Sequence, residues 1–186
     1  SKIGLTKLIG NPILWNGESQ ITGDIMHLIG NNTTQKIDSL KVLNNTFLVS
    51  KDTLGTGYNQ IKGQNLFGKF EEGKLHDVDI IKNTEVIYYM RNDAQELIGN
   101  NKNKSSKINI LFNKNEVDEI TFFKQVDGDL FPEKDLPEND RKLKGFIWRG
   151  DERILSKDDI FPPEENEDNE KIAKEVKAQK DKKNVP

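Results

Sequence analysis

Apolar and polar residues alternate along most of this chain, and Asn- and Gly-rich breaks interrupt the alternation at near-regular intervals. Leu40 and Val42 alternate with Ser39 and Lys41, Val78 and Ile80 with Asp77 and Asp79, and Ile120 and Phe122 with Glu119 and Thr121. A period of two puts the apolar set on one face of a β-strand and the polar set on the other. Neighbouring segments extend the apolar face with Phe47 and Val49, Ile87 and Tyr89, and Ile108, Ile110 and Phe112. The breaks predict tight connections between antiparallel strands, because Asn and Gly tolerate positive φ. Asn16-Gly17 separates residues 13–15 from 20–25, residues 71–74 separate 66–70 from 75–81, and residues 113–115 separate 107–112 from 117–126. Asn44-Asn45, between residues 40–42 and 47–49, reads as a hairpin turn of the same kind, and residues 51–57 read as a loop.

The pattern is also a repeat. Gln20-Ile21-Thr22-Gly23 recurs as Gln60-Ile61-Lys62-Gly63, and the strand ending in Asn45-Thr46 recurs as the strand ending in Asn83-Thr84. The period is roughly 40 residues, the size of a supersecondary unit that stacks on its own copies. A sheet with one apolar face must cover that face, and with few helical signals it does so by folding over on itself. The expected fold is all-β: an antiparallel β-jellyroll, or folded-over sheet of repeated hairpins, around an apolar interior.

After Phe131 the texture changes. Pro132, Pro137, Pro162 and Pro163 punctuate a stretch whose apolar cluster is residues 143–148, and from Glu164 the chain is almost wholly charged, acidic first and basic last. The expected organisation is a β-domain over 1–131, an irregular segment over 132–163 packing on one end of the sheet, and a tail over 164–186 that is disordered or a short helix. Apolar residues make up 33% of the chain, or about 40% with the 14 glycines, below the roughly 45–50% usual for globular chains. The core is therefore thin. Charged residues make up 32% but leave a net charge of only −3, which argues against a nucleic-acid partner. Cysteine is absent, removing disulfides and thiolate metal sites. No secretory signal opens at Ser1, so an exported protein would here be a mature form or an excised piece.

Candidate chemistry is sparse. Gly55-Thr56-Gly57 lacks the third glycine, the lysine and the helix of a phosphate loop and reads as a turn. His27 and His76 are not in metal-ligand spacing, and Asp77 and Asp79 fall on the polar face. No nucleophile–base pair and no metal set stands out, so neither a catalytic residue nor a cofactor is expected. The basic residues around Trp148 are the less ordinary feature, although Asp140, Asp151 and Glu152 are interleaved with them.

Taken together, the paired Gln-Ile-x-Gly units, the Leu-x-x-Val-x-Ile strand at residues 75–80 followed by Asn83-Thr84, and the Ile-x-Ile-x-Phe strand at 108–112 before an Asn-rich turn resemble the OstA-like (LptA-like) family. Residues 126–132 with 144–153 are similar to the version found in Bacteroidetes-type bacteria. The resemblance covers roughly residues 13–163; the Pro-containing segment is an addition to the minimal family pattern. It implies a non-enzymatic, periplasmic module of lipopolysaccharide transport to the outer membrane. Such a jellyroll holds lipid A acyl chains inside and pairs through edge strands with other jellyrolls or with itself. The implied lipid lining is Leu40, Val42, Phe47, Val49, Val78, Ile80, Ile87, Tyr89, Ile108, Ile110, Phe112, Ile120 and Phe122. Within the basic cluster around Trp148, Arg141, Lys144 and Arg149 are the candidate head-group contacts, since such a cluster suits lipid phosphates. At about 0.8 kcal/mol per buried methylene, a dozen-carbon chain contributes on the order of 10 kcal/mol before association costs of similar size. The alternative is a structural or interaction protein of the cell envelope with a dry, self-filled core.

Overall fold

This structure is a computed structural model and describes residues 4–124, 126–132, 137, 140–156 and 158–160. The predicted tail over 164–186 lies outside the described residues. The chain divides into two compact units, residues 1–148 and 149–186. The first runs past the expected boundary at 131, because residues 143–148 pack on the sheet. In the second, the described residues hold two short 3-10 turns, Gly150–Glu152 and Asp158–Ile160.

The first unit is all-β. Its strands are β1 (Gly4–Ile9), β2 (Ile13–Asn16), β3 (Ser19–Thr22), β4 (Ile25–Asn31), β5 (Lys36–Lys51), β6 (Tyr58–Glu71), β7 (Lys74–Arg91), β8 (Leu97–Asn113), β9 (Glu116–Phe123) and β10 (Asp127–Phe131). They form one antiparallel 10-stranded sheet, not closed into a barrel, in the order β1-β4-β5-β6-β7-β8-β10, with β3 also on β5 and β9 also on β8. Strands β5 to β8 run 14 to 18 residues, far beyond the common five or six. Each serves two layers. β5 pairs with β4 through residues 36–43 and with β3 through 47–50, and β8 pairs with β9 through 107–113 and with β10 through 100–104.

The layers join along a line of corners. Asn44 and Asn45 of β5 stand where β6 spends the single residue Gln64, between the pairs Leu43↔Asn65 and Thr46↔Gly63. Lys82 and Asn83 of β7 likewise oppose Ser106 of β8, between Ile81↔Lys107 and Thr84↔Ser105. All four of these residues are left-handed, with φ of 60° and 49° at Asn44 and Asn45 and 66° and 53° at Lys82 and Asn83. An extra residue of this kind bends a strand sharply and increases its twist. The threonine that follows fastens the bend: Thr46 Oγ1 donates to the Gln64 carbonyl at 3.4 Å, and Thr84 Oγ1 to the Ser105 carbonyl at 2.6 Å. The recurring Asn-Thr is therefore a corner. The hairpin turn expected at Asn44-Asn45 is not there, because the chain continues in the same direction as β5. The hairpins expected at residues 16–19, 71–74 and 113–115 are present.

The corners also decide facing. Two inserted residues keep the numbering parity of β5 and β7 through the bend. The interior thus takes Leu40, Val42, Thr46 and Leu48 from β5, and Val78, Ile80, Thr84, Val86 and Tyr88 from β7. Leu48 and Val86 join Ile21, Met26, Leu40, Val42, Ile61, Leu66, Leu75, Val78, Ile80, Ile108, Ile110 and Phe112 in one buried cluster, with Ile120 and Phe122 packed against it. Phe47, Val49, Ile87 and Tyr89 are not in it. They lie on the outer face of the second layer, in a separate cluster with Leu143. The expectation that these four line the interior is corrected on that ground. Restarting the alternation after Asn44-Asn45 selects the bulkier set, whereas the bend continues the old parity.

Energetics favour the interior as the organising element. Fully burying an aliphatic side chain contributes about 1.5–3 kcal/mol, whereas a surface ion pair contributes roughly 0–1 kcal/mol. The pairs on the outer face of the first layer, Lys107–Asp79 at 2.8 Å and Lys69–Asp77 at 3.5 Å, are partly exposed. The glycines of the Gln-Ile-x-Gly repeat let the neighbouring corner close. A Cβ on Gly23 would lie 2.2 Å from Val42 Cγ1, and one on Gly63 would lie 2.5 Å from Ile80 Cγ2. We predict that Gly63→Ala lowers the urea-unfolding free energy by about 1–3 kcal/mol through overpacking. Gly4→Ala, whose Cβ meets nothing nearer than 3.5 Å, should leave it nearly unchanged; equal stability of the two variants would contradict the corner packing.

Candidate functional site

The interior is the first candidate. Its rows run across both layers. Leu14, Ile21, Leu48, Ile61, Val86 and Asn103 are successive partners in the second layer, and Met26, Val42, Leu66, Ile80, Ile108 and Phe122 in the first. Of the residues implied to line a lipid site, Leu40, Val42, Val78, Ile80, Ile108, Ile110 and Phe112 are buried here, at no more than 3% exposure. The two layers fill the space between them at these positions. Away from the corner line, hairpin tips of opposite layers meet: a Cβ on Gly17 would stand 2.8 Å from the Asn115 Cβ. Beside that contact is a cleft of about 730 Å³, floored by Leu75 and Phe112 of the buried cluster and rimmed by Glu71, Lys74, His76, Lys114 and Asp118. Its size suits a small ligand, and its rim is polar.

Packing loosens toward β9 and β10. Ile120 and Phe122 are only half-buried. Leu130 pairs with Asn101, which pairs with Tyr88, so it stands on the interior face; it is nevertheless 53% exposed. Asn103 and Asn101 bond to one another there, and Asn101 also reaches the Met90 sulfur at 3.7 Å. At the same end of the second layer Arg91 and Asp52 form a mostly buried ion pair, and Asp52 also accepts from the Leu54 backbone at 3.3 Å. This pair ties the loop after β5 to the end of β7. Burial raises the pKa of Tyr88, and the Asp52 carboxylate adds to the effect.

The second candidate is a strap, residues 141–148, on the outer face of the second layer. Leu143 is buried against Phe47, Val49 and Ile87, with Tyr58, Tyr89, Phe146 and Trp148 packed around them. Trp148 meets Trp15 edge to face at 5.3 Å, and Tyr58 lies 5.1 Å from Phe146 and 5.3 Å from Trp148. The repeat glutamines hold the strap's backbone. Gln60 Nε2 donates to the Arg141 carbonyl at 2.8 Å, the Leu143 N–H donates to Gln60 Oε1 at 2.8 Å, and Gln20 Nε2 donates to the Ile147 carbonyl at 2.8 Å. Both glutamines are fully buried. The segment was expected on one end of the sheet; it lies across a broad face, where the four displaced apolar residues need a cover. Sequence reasoning missed Gln20 and Gln60 as anchors, although the recurrence of a glutamine before each interior isoleucine was the available signal.

The candidate head-group contacts fall in both units. Arg141 and Lys144 are exposed on the strap, and the Lys62 ammonium lies 3.5 Å from the Lys144 carbonyl. Burial raises the pKa of Tyr89; the Arg141 charge partly counters this and Asp52 adds to it. Arg149 belongs to the second unit and donates through Nε to Glu152 at 2.7 Å, which lowers the Glu152 pKa and raises its own. His27 is half-buried, and His76 lies 3.5 Å from Glu71. Among the described residues no group of three or more His, Asp or Glu is placed to hold a metal ion. Comparison with protein-family models, curated proteins and solved structures finds no significant match.

The strap's attachment is directly testable. Gln60→Ala leaves the Leu143 N–H and the Arg141 carbonyl without their partner, at a cost of roughly 1–3 kcal/mol. Limited trypsinolysis should then cut faster after Arg141, Lys142 and Lys144 than in the parent or in Gln64→Ala, whose side chain is exposed. Unchanged cleavage in Gln60→Ala would mean that the glutamine does not hold the strap.

Proposed function

We propose that this protein is a non-enzymatic lipid-binding module of the OstA-like kind, working in the periplasm in lipopolysaccharide transport to the outer membrane. Its ligand is the acyl portion of lipid A. The observation that carries this reading is a single folded sheet whose facing layers are both apolar, fastened along one line of corners and looser at the β9–β10 edge. Acyl chains bind by apolar area alone, so such an interior needs no pocket of specific polar groups. Chains enter by parting the layers at the loose edge, with Leu130 at the threshold and Ile120, Phe122 and Ile110 behind it.

A second reading rests on a specific observation. The inner cluster is closed to water at Leu40, Val42, Val78, Ile80, Ile108 and Ile110, each at 0% exposure. A structural envelope protein with a self-filled core has the same appearance. Photo-crosslinking separates the two. A photoreactive residue at Val78, Ile110 or Phe122 should capture lipopolysaccharide in cells, and one at Phe47 or Asp77 should not. A fluorescent fatty-acyl probe should saturate on the purified chain. No capture at the interior positions, with no probe binding, leaves the dry core as the reading.

Edge pairing completes the proposal. β1 and β10 are exposed along most of their length, and Leu5 and Ile9 on β1 are 59% and 69% exposed. An edge strand offers unpaired N–H and C=O groups to another sheet edge, on a second copy or on another jellyroll. Light scattering should therefore record an apparent mass that rises with concentration. Replacing Leu5 and Ile9 by Lys should suppress the rise; a strict monomer at all concentrations would count against stacking.

A further inference from the structure

Among the described residues, the strap side differs from the outer face of the first layer in both charge and ring content. Both tryptophans of the chain, Trp15 and Trp148, lie here with Tyr58 and Phe146, all half-buried. Ile147 projects outward at 64% exposure. Two exposed lysines cap the rings, Lys51 at 5.6 Å from the Trp148 centroid and Lys142 at 5.5 Å from that of Phe146. Lys144 and Arg141 are exposed alongside, and Lys104 is exposed on the same face of β8. The carboxylates among them are engaged: Glu85 is 2.9 Å from Lys62, and Asp140 is 3.2 Å from Lys102. Among the described residues, Asp127 and Asp129 of this face stand on the edge strand β10. The described residues of this face thus carry a basic excess in a chain whose net charge is −3. The outer face of the first layer is different, because Asp77 and Asp79 are bridged by Asn109 and by lysines into a balanced network.

We propose that the strap face docks on the anionic surface of a lipid bilayer. Aromatic rings with one wet end favour the interface between head groups and acyl chains. Lysines that cover rings with their stems place their ammonium groups at phosphate level. Ile147 supplies the apolar contact, and the lysines supply attraction that falls with salt. Beneath the strap, Phe47, Val49 and Ile87 are buried against Leu143, so this part of the patch is packed before any contact is made. This surface is separate from the interior, and its residues do not line the acyl site.

The test is flotation of the full chain with vesicles, read also by tryptophan emission, since both indoles are in the patch. Binding is expected to vesicles of phosphatidylglycerol in phosphatidylcholine at low salt, with a blue shift. Pure phosphatidylcholine should bind weakly, and raising salt several-fold should release the protein. Each lysine near an anionic surface is worth on the order of fivefold in partitioning. Lys142→Glu with Lys144→Glu should therefore reduce vesicle binding more than tenfold. Ile147→Asp should reduce the blue shift, while Lys7→Glu with Lys41→Glu on the other layer should have little effect. Three outcomes would overturn the proposal: no binding to anionic vesicles at low salt, loss of binding only in the first-layer variants, or equal competition by soluble polyglutamate without a blue shift. The last would assign the patch to an acidic protein. Because the substituted side chains are exposed, unchanged urea melts will confirm that the variants fold.

Discussion

The structure depends on one constraint: a sheet with a continuous apolar face can hide it only by bending every long strand at the same level. The bend is made by pairs of left-handed residues in β5 and β7, opposite single residues in β6 and β8. Thr46 and Thr84, buried beside the bend, bond to carbonyls of the next strand and so hold adjacent corners in line. Gly23 and Gly63 make room for Val42 and Ile80 at that line. The roughly 40-residue period follows, since one strand out and one strand back bring the chain to the next equivalent corner.

The layers then acquire different characters. The first has an apolar inner face and a polar outer face, the usual state of an antiparallel layer with one side in water. The second is covered on both faces, by the first layer inside and by the strap outside. Its strands therefore carry bulky residues at successive positions, as in Phe47-Leu48-Val49 and Val86-Ile87-Tyr88-Tyr89. Gln20 and Gln60 are among its buried polar residues, and each is fully buried with its side-chain amide bonded to the strap's backbone. Burial without such partners would cost more than the packing around it returns.

Stability is distributed accordingly. Long central strands with partners on both sides form the most protected part, and short edge strands with exposed backbone open most readily. The proposed access route follows this gradient, toward β9 and β10 rather than through the corner line. The proposed bilayer contact lies where the strap packs on Phe47, Val49 and Ile87, away from the β9–β10 edge, so docking and interior opening use different parts of one sheet.

Much of the fold was legible in the chain. Period-two alternation identified antiparallel strands, and turn chemistry located three hairpins, because both depend on residues close in sequence. The first layer's inward residues, Leu40, Val42, Val78, Ile80, Ile108, Ile110 and Phe112, were readable for the same reason: one of their faces is polar, so the alternation has a single solution. The second layer was not readable in this way. With both faces apolar, alternation does not say which side is inside, and Phe47, Val49, Ile87 and Tyr89 went to the wrong one. Only the tertiary structure decided that, through the parity carried across the corners and a strap arriving from some 80 residues later in the chain. The Asn-Thr corner, too, differs from a hairpin only in where its flanking strands find their partners. That is a matter of long-range pairing, which no local run of residues encodes.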